Sequence, residues 1–302
     1  MAHFALAALV AWLLASMQAV DESTMRPEIH STSFVTSDGV RLHVLEACPS
    51  GADGTTARSP VIAFVPGWSM PASIWREQLV DLGAGHCVAA LDPRGQGESD
   101  IAPGGYTIAR RAEDIHEFAA RYPRVVLVAW SLAALEALEY VDRYGHAKLD
   151  ALVLVDSSVG ENPAPPSGHR FTDALKSDRR ATIEEFVKNI FRSPRPAPEL
   201  AELSEAALRM PLEASLSLFP RTLPREHWSR IARGFPKPLL YVVSAQFAEQ
   251  AKSLQQHRPA TRVTVFADAG HALFVDEASR FTSLLADFVG EATDRTPAPK
   301  QQ

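Results

Sequence analysis

Several common functional signatures are missing from this sequence. Only two cysteines occur in 302 residues, Cys48 and Cys87, and no Cys/His spacing suits a metal. There is no G-x-x-x-x-G-K phosphate loop, no G-x-G-x-x-G dinucleotide turn and no internal repeat. The 30 basic residues are outnumbered by 36 acidic ones, and the formal charge of −6 comes with no Lys/Arg cluster. That balance excludes the electrostatic footprint of a nucleic-acid binder.

A comfortable membrane span is lacking too. The apolar run from Phe4 to Val20 is too short for one and matches a signal-peptide h-region. No Lys or Arg precedes it, and Met17 stands where a small residue is preferred before cleavage after Ala19. Two readings stand. Residues 1–24 form a signal peptide or N-terminal extension of a periplasmic or secreted protein, with weak N-terminal membrane association open to it. Alternatively the natural start is Met17 or Met25 and the protein is cytoplasmic. The cysteines bear on this choice. Cys48 falls near the end of an early strand and Cys87 begins a later one, so a disulfide is geometrically open if the strands are antiparallel neighbours. It would suit an oxidising compartment. Two unrelated buried thiols are the other reading.

What is present is an α/β rhythm. At 46% hydrophobic and 22% charged, the composition is that of a folded globular chain. "STSFVTS" and "VRLHVLEA" read as strands joined by a hairpin at Asp38-Gly39. "VIAFVPG", "HCVAALD", "RVVLVAW" and "LDALVLVD" are near-continuous apolar runs alternating with helical patterns, which indicates a parallel sheet covered on both faces. From residue 157 to 236 the strands stop and a Pro-rich, helical stretch intervenes. The rhythm resumes at "PLLYVVS" and "RVTVFA" and ends in a helix. The expected layout is therefore a core of residues 25–156 and 237–290, a helical insertion at 157–236 covering the sheet's C-terminal edge as a lid, and a disordered tail at 291–302.

In "LVAWSLAALEALEYV" a buried strand runs into Ser131 and then directly into a helix. Serine is favoured as a helix cap, yet a sharp strand–turn–helix also exposes a nucleophilic hydroxyl. The wider pattern bears on that choice. "FVPGWSMPASIW", "LDPRGQGESD", "VAWSLAALEAL", "LVLVDSS" and "ADAGHALFVDEASRF" occur in the order expected of the α/β-hydrolase fold. Over residues 31–290 the chain resembles its lid-bearing esterase, haloperoxidase and dehalogenase-like group. The resemblance implies a mostly parallel eight-stranded sheet with helices on both faces, no cofactor, and a small-molecule acyl substrate. It implies neither nucleic acid nor an obligatory protein partner.

Carried over residue by residue, the resemblance makes Ser131 the nucleophile and His271 the base, with the amides of Trp68 and Leu132 as oxyanion donors. The family's G-x-S-x-G becomes Ala129-Trp130-Ser131-Leu132-Ala133, and alanine tolerates unusual backbone angles less well than glycine. The acid departs further. Phe247 stands where most relatives place an aspartate after the penultimate strand. Asp156, at the end of the strand following the nucleophile helix, is the expected replacement, with Glu249 as the alternative. Asp92, Arg94 and Ser99 read as turn chemistry that ties a loop down. A serine nucleophile argues against dehalogenase and epoxide-hydrolase chemistry, which need a carboxylate there. Ester hydrolysis through an acyl-enzyme is the leading expectation. C–C hydrolysis, perhydrolysis, or a binding protein that has lost turnover are the alternatives. Phe171, Leu212, Leu216 and Phe219 suggest an apolar pocket in the insertion.

Overall fold

The first two strands show how local sequence becomes geometry. β1 (His30–Val35) and β2 (Arg41–Ala47) pair antiparallel around a turn in which Gly39 takes φ 83°, a conformation that glycine adopts without steric cost. The structure, a computed structural model, describes residues 27–57, 59–165, 169–219 and 223–294. The N-terminal apolar run and residues 295–302 of the expected tail lie outside the described residues. Among the described residues no helix is long and apolar enough to cross a membrane.

The sheet continues with β3 (Val61–Val65), β4 (Val88–Leu91), β5 (Val125–Trp130), β6 (Leu149–Val155), β7 (Leu239–Ser244) and β8 (Thr261–Phe266). Its order is β1-β2-β4-β3-β5-β6-β7-β8, with β2 antiparallel to both neighbours and β3 to β8 parallel. Every residue of β3 to β7 is buried, which explains why Val, Leu, Ile and Ala predominate in them. Each wholly buried Val or Leu stabilises the fold by about 1.5–3 kcal/mol. Helices α1 (Arg76–Gly83), α2 (Ile108–Ala120), α3 (Leu132–Tyr144), α9 (Ala248–His257) and α11 (Ala278–Asp294) cover the sheet, α2 packing on α3 and α1 on α11. The eight-stranded, mostly parallel α/β-hydrolase sheet expected from the sequence is the one observed.

One boundary moves. The expected tail begins at residue 291, but α11 runs on to Asp294. Leu285, Phe288, Val289 and Ala292 are all buried, so the apolar stripe extends one turn further than the polar lettering of "EATD" suggests.

Between β6 and β7 lie five helices: α4 (His169–Ser177), α5 (Arg179–Asn189), α6 (Ala197–Leu208), α7 (Leu212–Ser217) and α8 (Arg225–Gly234). Pro196, Pro211 and Pro224 each stand immediately before a helix, where the missing N–H costs nothing and the preceding helix cannot continue. This insertion is tied to the core at several points. Arg209 donates to the Ser99 carbonyl at 2.6 Å, Ser217 to that of Tyr106 at 2.9 Å, and His227 meets Glu139 of α3 at 2.9 Å.

The tightest tie is Asp276, the last residue of the short α10 (Leu273–Asp276). Its carboxylate accepts from the amides of Arg192 (2.8 Å), Ser193 (2.9 Å) and Gly270 (2.7 Å), and from the Ser193 hydroxyl (2.5 Å). The segment joining α5 to α6 is thereby pinned to the loop after β8. Gly270 permits this approach: a Cβ there would lie 2.7 Å from the Ile190 carbonyl oxygen and 2.8 Å from the Arg192 nitrogen. Burial alone would raise the Asp276 pKa, but the four hydrogen bonds outweigh it and hold the carboxyl below its ordinary value of 3.8.

Cys48 and Cys87 form a disulfide that joins the end of β2 to the start of β4, whose antiparallel register sets Ala47 beside Val88. It closes a sequence separation of 39 residues. Such a link stabilises a fold by about 2–4 kcal/mol. Cys48→Ser should therefore lower the melting temperature by several degrees, and the wild type should show the same drop after reduction. Identical melting curves before and after reduction would contradict a stabilising role. A depressed carboxyl contributes stability above its unfolded pKa and loses it as pH falls through its folded pKa. Asp276→Asn is accordingly expected to be less stable than wild type at pH 7. The gap should shrink below about pH 4, as measured by urea denaturation across pH.

Candidate active site

Four chain segments leave the sheet at the C-terminal ends of β3, β5, β6 and β8 and converge, the position where open α/β sheets bind ligands. Ser131 follows β5 with φ 59° and ψ −122°, and its amide donates to the Val155 carbonyl at 2.9 Å. Its side chain makes no capping bond to α3. Instead Ser131 Oγ lies 2.8 Å from His271 Nε2, and His271 Nδ1 lies 2.7 Å from Asp156 Oδ2. Ser131 thus stands at the N-cap position of α3, but its hydroxyl faces His271 and does not cap the helix.

The strained turn has a steric counterpart. A Cβ on Gly67 would come 2.7 Å from the Ser131 Cβ, so the loop after β3 can approach the serine only as glycine. Ala129 and Ala133 are fully buried, filling with methyl groups the space that flanking glycines would leave. Among the described residues three non-glycine residues have positive φ: Ser69, Ser131 and Asp156. All three belong to this cluster. Each costs on the order of 1–3 kcal/mol, which the surrounding packing must offset.

Asp156 is wholly buried with φ 40°. Its Oδ1 accepts from the Ser244 amide at 2.6 Å while Oδ2 faces His271, so both oxygens have partners. The turn after β7, where the sequence lacks an aspartate, thus holds an acid supplied from the neighbouring strand. Phe247 occupies the vacated position and is buried. Glu249, the alternative acid, is not brought to the histidine: it is exposed in the first turn of α9, and Asp156 meets the Nδ1 side of His271. The reason is helical geometry, because Ala245–Phe247 form a 3-10 turn leading straight into α9 and carry Glu249 to its outer surface. The Trp130 indole donates to the His271 carbonyl at 2.9 Å and its ring lies 5.1 Å from the imidazole, so Trp130 orients the histidine loop.

Trp68 and Leu132 line a cavity of about 180 Å³ with Ser131, Phe171, Phe186 and Phe219. Ser131 supplies its single hydroxyl. The Trp68 ring contacts all three phenylalanines at centroid distances of 5.0–5.5 Å, and its indole N–H is tied to the Ser215 carbonyl of α7 at 2.9 Å. As the first residue of α3, Leu132 has an amide with no partner inside the helix. Phe171 and Phe219 stand where the sequence suggested a pocket. Leu216 is buried in the core instead, and Leu212 packs against that core. Phe186 and Asp276 escape sequence reasoning. The first looks like one more apolar position of a helix, and the second like one acid among several.

Asp92, Arg94 and Ser99 tie down the loop after β4. Asp92 accepts from the amides of Ala72 and Glu98, Arg94 forms a bidentate pair with Asp114, and the Ser99 hydroxyl donates to the Asp92 carbonyl. Asp92 also completes a second hydrogen-bonded series, Ser31 Oγ to His43 Nε2 at 2.5 Å and His43 Nδ1 to Asp92 Oδ2 at 2.7 Å. Ser31 lies in the edge strand β1 without the positive φ of Ser131. A Ser–His–Asp series alone is therefore not the distinguishing feature; the strained turn and the adjoining cavity are.

The chain is 28% identical over 257 residues to a pimeloyl-[acyl-carrier protein] methyl ester esterase of Vibrio atlanticus, covering 77% of this chain and 95% of that protein. It is 25% identical over 246 residues to the AB hydrolase superfamily protein YisY of Bacillus subtilis, covering 75% and 90%. The fold matches a bromoperoxidase from Bacillus anthracis with a TM-score of 0.74 at 18% identity, over 86% of this chain and all of that one. An esterase from Exiguobacterium antarcticum superposes with a TM-score of 0.72 at 20% identity, over 86% and 99%. Residues 62–283, which carry the parallel part of the sheet from β3 to β8, match the model of the alpha/beta hydrolase family, and the chain belongs to this family of hydrolases.

Proposed function

We propose that the protein is a serine hydrolase that cleaves small, apolar carboxylic esters through an acyl-enzyme. The observation that carries this reading is the strained Ser131, hydrogen-bonded through His271 to the buried Asp156 and opening onto an apolar cavity. With Asp156 ionised, His271 Nδ1 keeps its proton and Nε2 accepts that of Ser131. Ser131 Oγ attacks the ester carbonyl carbon, and its proton passes to Nε2. The carbonyl oxygen becomes an oxyanion held by the amides of Trp68 and Leu132. His271 returns the proton to the leaving alcohol as the C–O bond breaks. Water, deprotonated by His271, then releases the acid from Ser131. Asp156 stabilises the imidazolium throughout. The insertion serves as a lid whose aromatic rings exclude water from the cavity.

The cavity argues for substrate size. At about 180 Å³ it is close to an engineered 150 Å³ apolar cavity that holds benzene. It therefore suits a short acyl chain or a single ring and has no charged group for an anionic tail. The disulfide and the apolar N-terminal run together support export to an oxidising compartment.

A fluorophosphonate probe should modify Ser131, located by peptide mass spectrometry, and the label should vanish in Ser131→Ala. Asp156→Asn is expected to lower kcat by ~10⁴-fold. Glu249→Gln should leave kcat essentially unchanged. A folded protein that takes no label, or labels at Ser31 instead, would overturn this reading in favour of a hydrolase-fold binding protein. Among p-nitrophenyl esters, kcat/KM should peak at acetate to butyrate and fall at least ~10-fold by decanoate, where the chain outgrows the cavity. A rising series would sink the size argument while leaving the chemistry intact.

A further inference from the structure

The loop Gly67–Met70 carries one proposed oxyanion donor, and its shape is not self-sustaining. Ser69 holds φ 59° in its interior, and the single turn hydrogen bond, Met70 amide to Gly67 carbonyl, is long at 3.3 Å. What braces it is Gln96, a wholly buried residue of the loop after β4. The Gln96 Nε2 donates to the carbonyls of Gly67 (3.0 Å) and Met70 (2.7 Å), while Oε1 accepts from the Ser69 amide (3.2 Å). Three hydrogen bonds from one side chain thus span the residues on either side of the Trp68 amide.

A carboxamide can do this in only one orientation. Reversed, it would set its oxygen against two carbonyls and its NH2 against an N–H. Arg111 removes that ambiguity: its Nη1 donates to Gln96 Oε1 at 2.9 Å, completing the four hydrogen bonds a primary amide can make. Arg111 is in turn paired at 3.1 Å with Glu136, a fully buried carboxylate on α3 five positions after Ser131. Burying such a pair is costly, and cutting either member leaves an uncompensated charge. The chain Glu136–Arg111–Gln96 links the helix that bears the serine to the loop that faces it. None of these groups lines the cavity or touches the reacting atoms.

We propose that Gln96 is a positioning residue for the oxyanion site: it holds the Gly67–Met70 turn in the strained form that aims the Trp68 amide at the cavity, and Arg111, backed by Glu136, fixes its orientation. The inference rests on the proposed function, because it presumes an oxyanion for that amide to meet.

Two substitutions separate the parts of the brace. Gln96→Met keeps the volume and deletes all four hydrogen bonds. Gln96→Glu keeps an acceptor toward Arg111 and Ser69 but faces the two carbonyls with oxygen. Both should lower kcat on p-nitrophenyl acetate by about 10²-fold with little change in KM, the size of effect seen when one oxyanion donor is lost. The inhibition constant of phenylboronic acid, whose tetrahedral serine adduct carries an oxyanion, should rise by a similar factor. A residue that merely supports the fold would move the melting temperature without this kcat-selective, boronate-matched loss. Ser69→Gly, which removes the strain at that position, should recover part of the lost kcat when combined with Gln96→Met. If Gln96→Met fails to fold, Gln96→Glu with and without Ser69→Gly gives the same comparison. Folded variants with wild-type kcat and boronate affinity would overturn the inference, as would a parallel rise in KM alone. A wild type that neither turns over esters nor takes the fluorophosphonate would instead overturn the proposed function.

Discussion

Everything at this site hangs on one backbone constraint, the left-handed turn at Ser131 between β5 and α3. A residue with a side chain sits there at φ 59° because the strand before it and the helix after it leave no other path. The Ser131 amide is anchored to Val155 on the adjacent strand, and the loop after β3 closes over the serine only because Gly67 has no Cβ. Relieving the strain would require pulling apart three central strands that are buried along their whole length. The energy of the core is thereby converted into the exposure of one hydroxyl.

The same logic explains how the cluster tolerates its departures from the family's pattern. Alanines flank the serine where glycines are usual, yet the residue with positive φ is the serine itself, and the alanines need only be small. The carboxylate that meets His271 comes from the end of β6, not from the turn after β7. These strands are parallel neighbours, with Val155 beside Val242, so their ends deliver side chains to nearly the same place. The turn after β7 still takes part, through the Ser244 amide on Asp156. What the histidine requires is a buried, hydrogen-bonded carboxylate at its Nδ1, and adjacent strand ends can supply one equally well.

Histidine loop and insertion are parts of one assembly. Trp130 holds the His271 carbonyl from β5, and Asp276 clasps the α5–α6 segment to the same loop. Phe186 reaches the cavity from α5, a few residues before that clasp. Cavity shape and histidine position are therefore mechanically coupled through Ile190–Ser193, where the Ala272 amide also bonds to the Ile190 carbonyl. On the other side of the serine, the buried Gln96 amide performs the corresponding bracing for the loop after β3.

By itself the sequence determined the layout: eight strands in order, the helical interruption, and the positions of Ser131, His271 and Asp156 at strand ends. Those properties are legible because unbroken apolar runs and turn residues encode short-range geometry. The helix end at Asp294 was missed because its stripe is carried by one alanine amid polar residues. Only the tertiary structure set Asp156 and not Glu249 beside His271, joined Cys48 to Cys87, and gave Phe186, Asp276 and Gln96 their contacts. Each of those outcomes depends on which groups from distant segments come within hydrogen-bonding or van der Waals reach. Pairings of that kind, across separations of 27 residues for Gln96 and Ser69 and 115 for Asp156 and His271, leave no periodic mark in the chain.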